Sequence, residues 1–368
     1  MTIATKIKKN NYQNIYRLFF EKEKLSKQQI AFLLKLSLPT VVHNVMELEA
    51  TQKIRECGQM ESQGGRPAIA YELVKDAFVA IGIEIKSEQI KCAVLDLFGN
   101  IIWQKKEVLL FVKDEHYLIQ LAHLIEQFIL DTGYTQNKIL GIGLSIQGIA
   151  EKNGQFMLYS KAFPCHQFNI AKLSEHINLP IKLFHDVKCA ASAELWRNKN
   201  LNNAVYLSIS EHLGGTTIIN NQIDFGKNGF SGALEHLQIY DNGKVCYCGQ
   251  KGCLEAYCSL SALLQQDSKE LFFTQLRAGN SDYQMRWNLF LTHLAKGLNY
   301  VALMLDRDIV LGGKISPYLI QDDLDLLRKK MEAKATFSLD NINIQIAQQQ
   351  SNAEVIGAGL YFIKHYLS

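Results

Sequence analysis

The chain has 368 residues, 48% of them hydrophobic and 20% charged, with a formal net charge of +3. That length and apolar content suffice for two or three domains with sizeable buried cores, and they exclude a disordered or fibrous class. No apolar run reaches the roughly 18 to 20 residues of a spanning helix, and MTIATKIKKNNYQ lacks the apolar stretch of a secretion signal, so a soluble cytoplasmic protein with no membrane partner is expected.

Charge is unevenly spread. Residues 1 to 70 carry eleven Lys or Arg against six Asp or Glu, a local excess of +5 that leaves the other 298 residues at -2. A basic head on a slightly acidic body suits a nucleic-acid-binding domain fused to a second function. Within the head, NIYRLFFEKE places Ile15, Leu18 and Phe19 at helical spacing. LSKQQIAFLLK opens with Ser26 as an N-cap and carries Ile30, Leu33 and Leu34. LSLPTVVHNVMELEATQKI admits Pro39 in its first turn and offers Val42, Val45, Met46 and Leu48 for burial. Two closely joined helices after a first match a helix-turn-helix. QGGRPAIAYEL then reads as a wing whose Arg66, between Gly65 and Pro67, reaches a phosphate or a minor groove.

From residue 78 the pattern changes to alternating, β-branched segments across the turns at Lys86 to Glu88 and FGN, followed by the helical HYLIQLAHLIEQFIL. The strand ILGIGLSIQGIA, a helix near Ile170 to Ile177, the strand PIKLFHD and the helix VKCAASAELWRN complete a layered α/β unit. AVYLSISEHLGGTTIINNQIDFG repeats the opening outline and is followed by helical segments and the strand DIVLGGKI. This crude duplication predicts two similar lobes around a cleft. The expected organisation is a winged helix-turn-helix over 1-74, a first α/β lobe over 75-190 and a second over 191-368.

Four of the eight cysteines, Cys57, Cys92, Cys165 and Cys189, are scattered singly and are expected as buried thiols in a reducing cytosol. Cys246, Cys248 and Cys253 are spaced C-x-C-x4-C, with Gly249 and Gly252 between them and His236 ten residues upstream. Three thiolates and an imidazole fill tetrahedral Zn²⁺ and leave no open position, which predicts structural zinc in the loop 236-255. Cys258, in LEAYCSLSALL, is expected to pack rather than ligate.

HLQIYDNGKVCYCGQKGCLEAYCS resembles the signature of the ROK family (repressors, open reading frames and sugar kinases). GIGLSIQGI, HDVKCAASAE, DIVLGG and AEVIGAGL are similar to further segments of the family, so that the resemblance covers nearly the whole chain. The N-terminal helices and GGRP wing resemble its repressor branch, which includes the xylose and N-acetylglucosamine repressors. The resemblance implies a two-lobed actin-like, ribonuclease H-like sugar-kinase fold behind the winged helix, and a homodimer or tetramer on operator DNA that responds to a sugar or sugar derivative.

Asp186 matches the kinases' general base, here a vestigial one that still binds a hydroxyl or merely caps the helix it opens. By resemblance His185, His236 and Glu255 join it in holding the ligand, while Ala233 and Ala162 stand where the family has polar contacts. In the two phosphate turns, Glu84, Lys86 and Ser87 replace one set of small residues and Ser210, Glu211 and His212 the other. Backbone cradles for phosphate exclude bulk and negative charge, so no kinase activity is expected. DNA contacts are expected from the start of the helix near Leu38, through Thr40, Val41, His43 and Asn44. The competing readings are a sugar kinase with a regulatory head and a non-enzymatic binding module with a degenerate cleft.

Overall fold

The computed structural model describes residues 3-61, 67-160, 163 and 165-367. The tip of the expected wing, with Arg66, and Ala162 lie outside the described residues. The chain forms two compact units, one of Met1–Val79, Asp96–Asn100 and Ile363–Ser368 and the other of Ala80–Leu95 and Ile101–Phe362.

The first unit contains α1 (Ile3–Glu21), α2 (Lys27–Leu34), α3 (Leu38–Ala50) and the strands β1 (Ile54–Gln59) and β2 (Ile69–Leu73). Ser26 caps α2 in a reciprocal box, its hydroxyl accepting from the Gln29 backbone N–H while the Gln29 side chain accepts from the Ser26 N–H. Lys35, in the left-handed region, ends that helix, and Ser37 with Pro39 starts the next. The strands pair antiparallel with Arg55 opposite Glu72, their side chains 2.7 Å apart. Helix-turn-helix and β-ribbon thus stand as expected, but two faces are turned. α3 buries Val41, Asn44, Val45 and Leu48, and leaves Met46 59% exposed; on α2, Leu33 is 45% exposed. The positions 41, 45 and 48 form one i, i+4, i+7 stripe against Ile15, Phe19 and Ile30, all buried, so the buried face sits one residue from the expected one.

In the second unit, β3 (Val79–Ile85), β4 (Gln89–Leu95) and β5 (Ile101–Val108) form an antiparallel meander. α4 (Glu115–Thr132), β6 (Ile139–Ile146), the ribbon β7 (Ile149–Ala150) and β8 (Met157–Tyr159), α5 (Leu173–His176) and β9 (Ile181–His185) follow. α6 (Asp186–Arg197) leads into a second meander of β10 (Ala204–Ile209), β11 (Leu213–Ile219) and β12 (Gln222–Ile223). Then come α7 (Glu255–Cys258), α8 (Leu260–Leu264), α9 (Lys269–Arg277), α10 (Ser281–Leu305), β13 (Asp308–Gly312), α11 (Gln321–Glu332), β14 (Ile344–Ile346) and α12 (Ala353–Leu367). The sheets run β5-β4-β3-β6-β9 and β12-β11-β10-β13-β14, the same order in each half. This α/β architecture of two like lobes carries the duplication seen in the sequence. Cys258 packs with Leu254, Phe272, Trp287 and Leu298 in the core of the second lobe. No single described helix is long and apolar enough to cross a membrane.

α12 departs from the expected division at residue 191, because it returns to the first sheet. At Gly82 of β3 an added Cβ would stand 1.8 Å from the Val355 carbonyl oxygen, and at Gly357 one would stand 1.8 Å from that of Cys189 on α6. Backbone therefore meets backbone on both sides of α12, where side chains cannot yield. Gly357→Ala is expected to destabilise the protein by about 1 to 3 kcal/mol. Urea unfolding measures this, and an unchanged midpoint would refute the packing.

Candidate ligand cavity and metal centre

A cavity of about 380 Å³ opens within the second unit between the ends of β3, β6 and β9 and those of β10 and β11. Asp186 opens α6 at its wall, with Oδ1 accepting from the Val187 N–H at 2.8 Å and lying 3.3 Å from His185 Nε2. Burial, with Glu354 nearby, pushes the Asp186 carboxyl up to about 7. Burial and Lys188 bring His185 down to about 3, so its ring is neutral. Its Nδ1 has no partner, and neither has Ser145 Oγ on the same wall.

The two turns that resemble phosphate cradles are occupied. Glu84, buried on β3, sits 2.8 Å from Lys86 Nζ and 3.2 Å from Lys91 Nζ. Burial opposes ionisation, but the two lysines hold the carboxyl below its ordinary range. Glu211, in the second turn, is 2.6 Å from Lys314 Nζ, and the Lys314 backbone N–H donates to Ser210 Oγ at 3.1 Å. Glu211 was expected to repel the phosphates that such a turn would cradle. Its charge is instead paired with that of Lys314.

Two carboxylates of this region differ in their surroundings. Glu255 is buried at the start of α7 and lies off the cavity wall, with Oε1 2.8 Å from His212 Nδ1 and Oε2 accepting from the Leu213 N–H at 2.5 Å. Both oxygens are engaged with the turn before β11 and help to fix it. Glu235 takes the wall position: it is 9% exposed and lines the cavity, and its Oε2 has no partner. Tyr247 also lines the cavity, its ring 5.1 Å from that of His212 and 5.3 Å from that of His236. Each adjoins a predicted metal ligand in the chain, which was the available signal.

The ligand atoms of His236, Cys246, Cys248 and Cys253 all lie within 4.8 Å of one another. Cys248 Sγ is 3.8 Å from Cys253 Sγ, and Cys246 Sγ is 3.8 Å from His236 Nδ1. Tetrahedral zinc with metal–sulfur bonds of about 2.3 Å requires sulfur–sulfur edges of about 3.8 Å, so the donor set fits a metal ion. Gly252, at φ +78 with an added Cβ 1.6 Å from the Tyr240 carbonyl oxygen, lets the loop fold back before Cys253. His236 is also on the cavity wall, so the cluster borders the cavity directly.

In the first unit, His43 is exposed on the outer face of α3 and Thr40 is partly exposed. Val41 is fully buried, and Asn44 is 2% exposed with its amide donating to the Thr40 carbonyl at 2.7 Å. Both face the core through the stripe described above and are withdrawn as base-reading positions.

The sequence profile of the ROK family matches residues 80–365. The chain is 30% identical to the xylose repressor of Bacillus spizizenii (strain ATCC 23059 / NRRL B-14472 / W23) over 71% of this chain and 68% of that one. It is 25% identical to the xylose repressor of Bacillus subtilis (strain 168) over 99% and 97%. The DNA-binding dual regulator NagC of Escherichia coli (strain K12) is 24% identical over 71% and 65%. Among solved structures, a ROK family transcriptional regulator, a homologue of the E. coli MLC protein, superposes with a TM-score of 0.78 at 19% identity over 98% of this chain and 96% of that one. A ROK glucokinase from Streptomyces griseus superposes at 0.66 and 19% identity over 77% and 98%.

Cys248→Ser is expected to lower bound metal from one ion per chain to a substoichiometric amount, read by elemental analysis; full retention would refute the ligand set. Asp186 gives a pH signature. A carboxyl raised from 3.8 to about 7 stabilises the fold fully below the unfolded value, and that stability is lost as pH rises through the folded value. Asp186→Asn should therefore raise the ligand-free melting temperature at pH 8 and change it little at pH 4; an equal change at both would refute the assignment.

Proposed function

Because the chain belongs to the ROK family, we propose that it is a DNA-binding transcriptional repressor of carbohydrate uptake or metabolism genes, released by a sugar or sugar derivative. One observation carries this reading: the likeness to the B. subtilis xylose repressor runs over 99% of the chain, helix-turn-helix included. α3 enters the major groove with Thr40 and His43 on its outer face, and Arg66 supplies a phosphate or minor-groove contact from the wing. The protein acts in the cytoplasm as a homodimer or tetramer. A pair of such helices meets two half-sites roughly 34 to 36 Å apart or a multiple of that distance, so a modest ligand-driven change in their separation breaks operator binding.

The metal is zinc, held by His236, Cys246, Cys248 and Cys253 in a closed four-ligand site. It would supply shape: a glycine-rich loop with little core of its own is fixed so that Glu235 and Tyr247 meet the cavity. Asp186 and His185 hold the ligand, and His236 presents its ring edge to it. The Glu84 and Glu211 ion pairs support a sensor rather than a kinase. One observation favours the kinase reading, namely that Asp186 with its carboxyl near 7 suits a general base.

Genome-wide footprinting of the protein with its metal retained should reveal a few palindromic sites beside carbohydrate genes, each released by a sugar. His43→Ala should weaken those sites by about tenfold, on the order of 1.4 kcal/mol. An absence of specific sites would overturn the regulator reading.

A further inference from the structure

Five carboxylates and two lysines line the cavity. Both lysines are already engaged, Lys86 with Glu84 and Lys314 with Glu211. Among the described residues, the other three wall carboxylates, those of Asp186, Glu235 and Glu354, form no ion pair with a lysine or arginine. Lys188, whose field reaches Glu235, is off the wall and donates to the Asp224 carbonyl at 2.9 Å. Among these groups Glu235 is distinguished by an oxygen that is both fully buried and unpartnered.

Two further polar atoms of the wall lack a partner. His185 is neutral and its Nε2 faces Asp186, so with the proton on Nε2 its Nδ1 is an acceptor without a donor. Ser145 Oγ, also unpartnered, can accept or donate. The wall thus has unused acceptors and no uncommitted cation. A buried acceptor left unmet costs its desolvation in full, so the fitting ligand is rich in donors. A hydroxyl donates one hydrogen bond, whereas an ammonium donates three and brings the charge that a carboxylate wall lacks. Tyr159, Phe163 and Tyr247 also line the cavity and offer apolar surface for the C–H side of a sugar, and the volume of about 380 Å³ takes a single ring.

Resting on the reading of the cavity as a sugar sensor, we infer that Glu235 is its specificity-determining carboxylate and that the ligand is an amino-substituted monosaccharide or polyol held through its free ammonium. The inference goes beyond the sugar class to a charge and to a residue that reads it.

Calorimetric titration of the full-length protein with its metal retained, at pH 7, tests this with matched probes: glucosamine, glucose and N-acetylglucosamine, and the same three forms of galactose. In at least one set the free amine should bind about tenfold more tightly than its hydroxyl and N-acetyl counterparts. Glu235→Gln should remove that preference while leaving weak sugar binding, with an unchanged melting profile showing that the variant is folded. A neutral sugar that binds the unmodified protein as tightly as its amine overturns the inference and leaves the sugar-sensor reading standing. Retention of the preference by Glu235→Gln overturns the assignment to Glu235. If no sugar of any form binds, the sensor reading falls and takes this inference with it.

Discussion

A buried carboxylate held between two lysines organises the second unit. Glu84 lies on β3 and Lys91 directly opposite on β4, so their ion pair is built into the register of the hairpin. Lys91 also donates to Asn352 Oδ1 at 3.2 Å, just before α12 begins, and Lys86 carries the other side of Glu84 to the cavity. One cluster therefore joins the first sheet, the start of α12 and the cavity floor. Removing both lysines would leave the buried Glu84 charge uncompensated, which costs far more than a surface pair contributes.

That arrangement has a functional consequence. A phosphate cradle works through open backbone N–H groups and small side chains, and both turns here carry a Glu–Lys pair instead. The cavity beside these turns is lined by Ser145, His185 and Glu235, each of which has a buried polar atom without a partner. A group that recognises a ligand is often a burden to the empty fold. Asp186 and His185 illustrate this, since burial pushes each toward its neutral form.

Legibility in the sequence followed locality. The cap at Ser26, the helix-turn-helix and the Cys–His cluster are set by residues within a few turns of one another, and the structure has them where their spacing put them. The repeated strand–turn–strand outline likewise announced two lobes of equal topology. What the sequence hid depends on contacts between distant segments. The contacts of Glu255 with His212 and Leu213, some forty residues earlier, are of this kind. The buried face of α3 falls one residue from the expected one because α1 decides which stripe is covered, and Val41 and Asn44 leave the candidate DNA surface for that reason. α12 could not be assigned to the first sheet from its own pattern, since the fit lies in the glycines it meets.

The most direct test of a sensing cavity is calorimetric titration with magnesium and ATP in the presence of whichever sugar binds. With the Glu84 and Glu211 pairs in place, no nucleotide binding tighter than about 1 mM should be measured, and no phosphorylated sugar should form. Micromolar nucleotide affinity with turnover would mean that the ion pairs open to admit phosphate, and the cavity would then be that of a kinase.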